Sequence, residues 1–123
     1  MEGDLNPPWD ACVRAMDAST RGGTTYLLLL ASGTSRAQPA QGQCAGGEEH
    51  KLLWVALGPR GAERRQTVAV ESCLDNVEAR DAVRFRGDTL RMRVDELDAR
   101  VLVRYDRRAP ERGLRVDTVG GRR

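Results

Sequence analysis

Apolar and polar residues alternate with a period of two through much of the C-terminal half of the chain. The alternation runs over Ala82–Arg86, Thr89–Val94 and Arg100–Tyr105. This period is typical of strands that place one face in a core and the other in solvent. The dipeptide Gly87-Asp88 joins the first two runs and fits a two-residue hairpin turn of type II′. These segments therefore predict three consecutive antiparallel strands.

The preceding part of the chain has longer apolar runs. Thr24–Ser32 contains the continuous apolar run Tyr26–Ala31, and Glu49–Leu57 contains the run Leu52–Leu57, a pattern typical of strands covered on both faces. Arg65–Cys73 alternates again, and the Gly58–Gly61 turn before it predicts an antiparallel hairpin. The polar segment Gly33–Gly47 is longer than the usual connection of about 4–6 residues, so it is either a binding element or a long loop without a specific role.

The N-terminal segment Pro8–Met16 shows a different period. Trp9, Cys12, Val13 and Met16 are spaced i, i+3, i+4 and i+7, which places them on one face of an α-helix. A helix this short is stable only when that face docks against the rest of the protein. The spacing therefore predicts a short helix that packs on the strands.

Leu114–Thr118 predicts a short final strand, which brings the total to six or seven strands in meander order. The predicted fold is mainly β: an antiparallel β-sandwich or partly open barrel with one short N-terminal helix. No linker divides the sequence, so residues 1–123 are expected to form a single domain with frayed ends at 1–7 and 120–123.

Three cysteines bear on the compartment. A Cys44–Cys73 disulfide would tether the long polar loop and contribute roughly 3–4 kcal/mol in the chain-entropy model. The alternative is three reduced thiols in a cytosol. Cys12 lies on the predicted helix face and is expected to stay reduced, although an odd thiol could also join two chains.

The residues offer little for catalysis or metal binding. There is no Cys-x-x-Cys pair and His50 is the only histidine, so no metal site, cofactor site or catalytic group is predicted. Spacing gives no reason for His50 to meet Cys44, and a surface position at a strand edge is expected. Ser32-Gly33 lacks the flanking residues of a nucleophile elbow. Glu48-Glu49 are neighbours whose side chains point to opposite faces of a strand.

Charge gives the most specific hypothesis. The net charge is only +2, but all basic residues except Lys51 are arginine, a bias that a GC-rich genome also produces. The predicted strands place five outward arginines on one sheet face: Arg84, Arg86, Arg91, Arg93 and Arg104. That face lacks the aromatic side chains of a stacking nucleic-acid binder, so an acidic protein partner is favoured over nucleic acid. The alternative is a solvated face neutralised at its rims by Asp88, Asp95, Asp98 and Asp106.

These patterns favour a small non-enzymatic protein-binding module, such as a bacterial inhibitor or immunity-type protein. An accessory domain of a cell-envelope assembly and a thiol-dependent enzyme using Cys12 or Cys44 are the alternatives. No apolar stretch reaches the length of a membrane span. Glu2, Asp4 and the Pro7-Pro8 pair do not fit a signal peptide. The chain is therefore expected to be cytoplasmic, or periplasmic or secreted after removal of a signal.

The predicted disulfide is tested by intact mass and alkylation. In the unreduced, denatured protein we expect one alkylated thiol at Cys12 and a mass lower by about 2 Da than that of the reduced chain. Alkylation of all three cysteines without reductant would contradict the Cys44–Cys73 pairing and favour a reducing compartment.

Overall fold

The computed structural model of the chain describes residues 12–34 and 48–121. Cys44, residues 1–7 and the first part of the predicted helix lie outside the described residues. The described part is built of nine strands and one short 3-10 turn, Pro110–Arg112. No helix among these described residues is long and apolar enough to cross a bilayer.

The strands form two antiparallel sheets. The first sheet contains β1 (Cys12–Arg21), β2 (Thr24–Thr34), β3 (Glu48–Gly58) and β4 (Gly61–Ser72), in the order β1-β2-β3-β4. The second contains β5 (Glu78–Ala79), β6 (Phe85–Arg86), β7 (Thr89–Asp95), β8 (Ala99–Asp106) and β9 (Arg115–Gly121), in the order β5-β7-β8-β9, with β6 also paired to β7. The mainly β, antiparallel prediction is confirmed, and the described residues form two sheets rather than a closed barrel.

One apolar core holds the two sheets together. Its larger buried members are Tyr26, Leu28, Leu30, Leu52, Trp54 and Val70 from the first sheet and Leu90, Met92, Val94, Val101, Val103 and Tyr105 from the second. Within each sheet the register places inner residues directly opposite one another, as Leu28 is opposite Trp54 and Met92 is opposite Val103. Burying such side chains contributes about 1.5–3 kcal/mol each, so this shared core fixes the inward face of the strands that contribute to it.

The apolar runs of β2 and β3 also bury part of their outer face. Ala31 and Leu53 point away from the shared core, yet they are only 0% and 2% exposed. Two covered faces explain why these strands read as continuous apolar runs, as the sequence predicted.

Polar contacts connect the first sheet to the segment that precedes β9. The indole Nε1–H of Trp54 donates to the Pro110 carbonyl oxygen at 2.9 Å. The Gln66 amide accepts from the Leu114 N–H at 2.7 Å and donates to the Leu114 carbonyl at 3.1 Å. Gly113, with φ +69°, lies under Gln66, where any Cβ would collide with the amide oxygen at 2.3 Å. These contacts hold the two sheets in position at one end of the core.

The predicted N-terminal helix is wrong where the structure describes it, because Cys12–Met16 belong to β1. This strand pairs with β2 along its length, with a bulge between Ala15 and Asp17. An isolated helix of this length is marginal in water, whereas pairing with β2 satisfies the backbone groups on that strand's free side. Long-range pairing therefore overrides the local apolar period.

The strand predicted over Ala82–Arg86 is shorter than expected, because only Phe85–Arg86 pair with β7. The backbone N–H of Arg93 on β7 donates to the Asp81 carboxylate at 2.7 Å instead of to another strand. The hairpin itself is where the sequence placed it, and Gly87 has the positive φ of +64° that the first central position of a type II′ turn requires. At the other end, β9 extends to Gly121, two residues into the segment expected to fray.

Glu49 is a buried carboxylate that holds the turn after β4. It is 3% exposed and accepts from the Ser72 hydroxyl at 2.5 Å, the Cys73 N–H at 3.0 Å and the Leu74 N–H at 3.3 Å. The Ser72 oxygen in turn accepts from the Asp75 N–H at 2.9 Å. The carboxylate is therefore a structural group that fixes the chain reversal into the second sheet.

We expect Glu49→Gln to lower the free energy of unfolding by about 2 kcal/mol. The donors from Ser72, Cys73 and Leu74 use both carboxylate oxygens of Glu49, whereas a glutamine amide has only one acceptor oxygen. Urea denaturation followed by circular dichroism measures the change. The matched control is Glu63→Gln at an exposed position of β4, which should change stability by less than about 0.5 kcal/mol. Equal destabilisation by both variants would contradict the structural role of Glu49.

Candidate functional site

The register of the second sheet brings four arginines around one groove. Leu90, Met92 and Val94 of β7 point into the core, so Arg91 and Arg93 between them point outward. Arg84 and Arg86 approach from the chain that leads into and through β6. The groove has a volume of about 600 Å³ and is lined by Asp81, Ala82, Arg84, Arg86, Arg91, Arg93 and Leu102.

Asp81 neutralises one of the four arginines. Its carboxylate accepts from Arg93 Nε at 2.9 Å, from Arg93 Nη2 at 2.8 Å and from the Arg93 backbone N–H. The side-chain hydrogen bond to Arg93, helped by the backbone hydrogen bond and the nearby charge of Arg86, holds the pKa of Asp81 well below its usual range. Arg93 is therefore fixed in place by a bidentate pair, and its charge is largely compensated.

The other three arginines have no ion pair with any carboxylate of the described chain. The acidic residues that were considered as neutralising rim groups mostly contact other arginines. Asp88 and Asp106 both pair with Arg108, at 3.8 and 2.9 Å, and Asp95 lies 3.6 Å from Arg80 and 3.9 Å from Arg100. Asp98 has no hydrogen bond or ion pair within residues 12–34 and 48–121. The groove consequently carries four positive charges and one negative charge.

Arg104 lies outside this groove. It is directly opposite Arg91 on β7, so these two share a sheet face as the alternation predicted, and it is also opposite Arg115 on β9. Its Nη2 donates to Asp117 at 2.6 Å. The structure therefore brings together four of the five predicted partner-binding residues and pairs the fifth with a carboxylate.

Cys12 and Cys73 are placed apart from the groove. Cys12 is an exposed free thiol at the start of edge strand β1, and Cys73 follows β4 with its N–H bound to Glu49. Cys44 lies outside the described residues, so its pairing with Cys73 stays a prediction. In the described ranges, no group of three or more histidine, cysteine and acidic side chains is arranged to hold a metal ion.

A second cavity of about 610 Å³ shares Asp81 and Ala82 with the lining of the groove. His50, which was expected at the surface of a strand edge, contributes to its lining together with Glu48. His50 also hydrogen-bonds to Ser32 on the neighbouring strand. The sequence did not indicate this cluster, because the pairing of Ser32 with His50 depends on the β2–β3 register across residues 35–47.

Comparison with known proteins finds no family model, no curated protein and no solved structure that matches this chain. The chemistry of the two cavities is therefore the basis for a functional hypothesis. A groove with unpaired guanidinium groups can bind carboxylates or other anions in bidentate fashion.

The hydrogen bonds from Arg93 are expected to lower the pKa of the Asp81 carboxyl. We expect the Asp81 side chain to remain ionised at pH 3 in the folded protein, where an ordinary aspartate with pKa about 3.9 is mostly protonated. Because the folded-state pKa is lowered, the stabilisation is present above the unfolded-state pKa and is lost as the pH falls toward the folded-state value. Carbon-detected NMR of the Asp81 carboxyl measures this.

In Arg93→Gln, which lacks the charge and the bidentate pair, the Asp81 pKa should rise toward its usual value. An Asp81 titration that is the same in both proteins would show that Arg93 does not cause the shift.

Proposed function

We propose that this chain is a small protein-binding module that recognises an acidic segment of another protein through the arginine groove. The observation that carries the proposal is the set of three exposed arginines, Arg84, Arg86 and Arg91, that line one groove without a carboxylate partner in the described chain. Neighbouring like charges repel, so a groove of this kind favours a ligand that supplies the missing negative charges.

The lining supports an acidic peptide more than a nucleic acid. Sequence-tolerant binding of single strands relies on aromatic side chains on which bases stack, and the groove lining contains none. Leu102 and Ala82 instead supply small apolar surfaces between the arginines. A segment with two or three carboxylates and a short apolar side chain would satisfy both kinds of surface.

Asp81 has a positioning role in this proposal. By holding Arg93 in a bidentate pair, it orders one wall of the groove before a partner binds, which lowers the conformational entropy lost on binding. If Cys44 and Cys73 are bridged, the module would act in an oxidising compartment such as a bacterial periplasm, where an inhibitor or immunity-type role is the form that we propose.

The test uses a fluorescein-labelled hexaglutamate peptide as the probe and fluorescence anisotropy as the measurement. We expect saturable binding at low ionic strength, and the double variant Arg86→Glu/Arg91→Glu should weaken it at least about tenfold, equivalent to about 1.4 kcal/mol. Added salt should weaken the wild-type complex, because exposed charge pairs are screened.

The matched control is Arg60→Glu/Arg64→Glu, which makes the same change of net charge on exposed residues outside the groove. This control should bind within about twofold of the wild type, allowing for long-range screening. An equal loss in both double variants, or no binding by the wild type, would contradict a role of the groove.

A further inference from the structure

The lining of the second cavity includes His50 and Glu48, and Ser32 joins them through a hydrogen bond to His50. Ser32 Oγ lies 2.8 Å from His50 Nδ1, and His50 Nε2 lies 2.9 Å from Glu48 Oε1. The cluster is separate from the arginine groove and has no part in the binding proposed for it.

The chemistry of the three groups fixes the direction of these hydrogen bonds. An ionised carboxylate only accepts, so Glu48 requires a proton on Nε2 of the neutral imidazole. Nδ1 then carries the lone pair and accepts from the Ser32 hydroxyl. His50 is thus held in the tautomer that can take a proton from Ser32, which is the relation of base to nucleophile in serine hydrolases, with the two ring nitrogens exchanged.

Backbone register holds this arrangement in place. Ser32 on β2 and His50 on β3 are directly opposite in the antiparallel pair, so their side chains lie on the same face. Glu48 precedes His50 by two residues on β3 and shares that face. Because all three residues lie within paired strands, their positions depend on the sheet rather than on a loop.

The adjoining cleft has the composition of a site for a partly apolar ligand. Leu30, Val70 and Val83 contribute apolar surface, and Arg14 from β1 contributes a positive charge to the same lining as His50. Glu71, also in the lining, accepts from the Ala79 N–H at 2.8 Å, which gives that carboxylate a structural partner. Five of the ten lining residues are apolar and five have ionisable side chains, Asp81 among them, so the cleft suits a ligand with both apolar and polar groups.

We propose that this cleft hydrolyses carboxylic esters by covalent catalysis at Ser32. Ser32 Oγ forms a bond to the ester carbonyl carbon while its proton passes to His50 Nδ1, and the carbonyl electron pair moves to the oxygen. Arg14 is the positively charged residue of the same lining. Collapse of this intermediate expels the alcohol, which takes the proton from His50. Water then attacks the acyl-Ser32 ester with His50 as base, releasing the carboxylic acid and restoring the hydroxyl.

The experiment treats the purified full chain with a biotinylated fluorophosphonate, which reacts with nucleophilic serines, and locates the label by peptide mass spectrometry. We expect a single label on Ser32 and none in Ser32→Ala. His50→Gln should slow labelling at least about 100-fold, the lower end of the contribution of general base catalysis. Glu48→Gln should slow it by a smaller factor, because the imidazole loses its orienting carboxylate.

Ser19→Ala is the matched control, since Ser19 lies on the same inner face of the first sheet, opposite Tyr26, and has no histidine neighbour in its register. It should be labelled like the wild type. Hydrolysis of p-nitrophenyl butyrate should follow the same order across the variants. No label on folded wild-type protein, a label elsewhere, or equal labelling rates in His50→Gln and the wild type would each overturn the proposal, while leaving the binding test of the arginine groove unaffected.

Discussion

The burial of one apolar core between the two sheets is the constraint on which the other features depend. Because Met92 and Val103 are directly opposite and 0% exposed, the residues on either side of Met92 must point away from the core. A register shift of one residue would turn Arg91 and Arg93 inward, and a buried unpaired charge is costly. The core therefore determines both the packing and the position of the arginines.

The same constraint creates two chemically different cavities. On the outer face of the second sheet it leaves a groove in which Asp81 forms an ion pair with Arg93 alone, so the remaining arginines favour an anionic partner. At one end of the first sheet's inner face, beyond Leu30 and Leu52, the paired positions change from apolar to polar, and Ser32 meets His50 there. Both cavities adjoin the chain around Asp81 and Ala82, which acts as a shared wall.

The features that the sequence predicted well are those that depend on local patterns. Alternation over residues 89–105 predicts β7, β8 and an outward row of arginines, and Gly87 predicts the turn before them. The predictions that were wrong or absent depend on residues distant in the sequence. The N-terminal segment forms β1 instead of a helix because pairing with β2 satisfies the backbone groups on the free side of β2. Likewise, three of the four rim aspartates contact other arginines, and the Ser32–His50 pairing depends on a register that residues 35–47 do not reveal in their sequence.

The most direct test of this account is the register of the two sheets in solution, measured by NMR on uniformly labelled protein. The account predicts cross-strand nuclear Overhauser contacts that join Met92 to Val103 in the second sheet and Leu28 to Trp54 in the first. Contacts that instead pair Met92 with Leu102 or Arg104 would indicate a one-residue shift, which would place either Arg91 and Arg93 or Arg104 in the core and contradict the account.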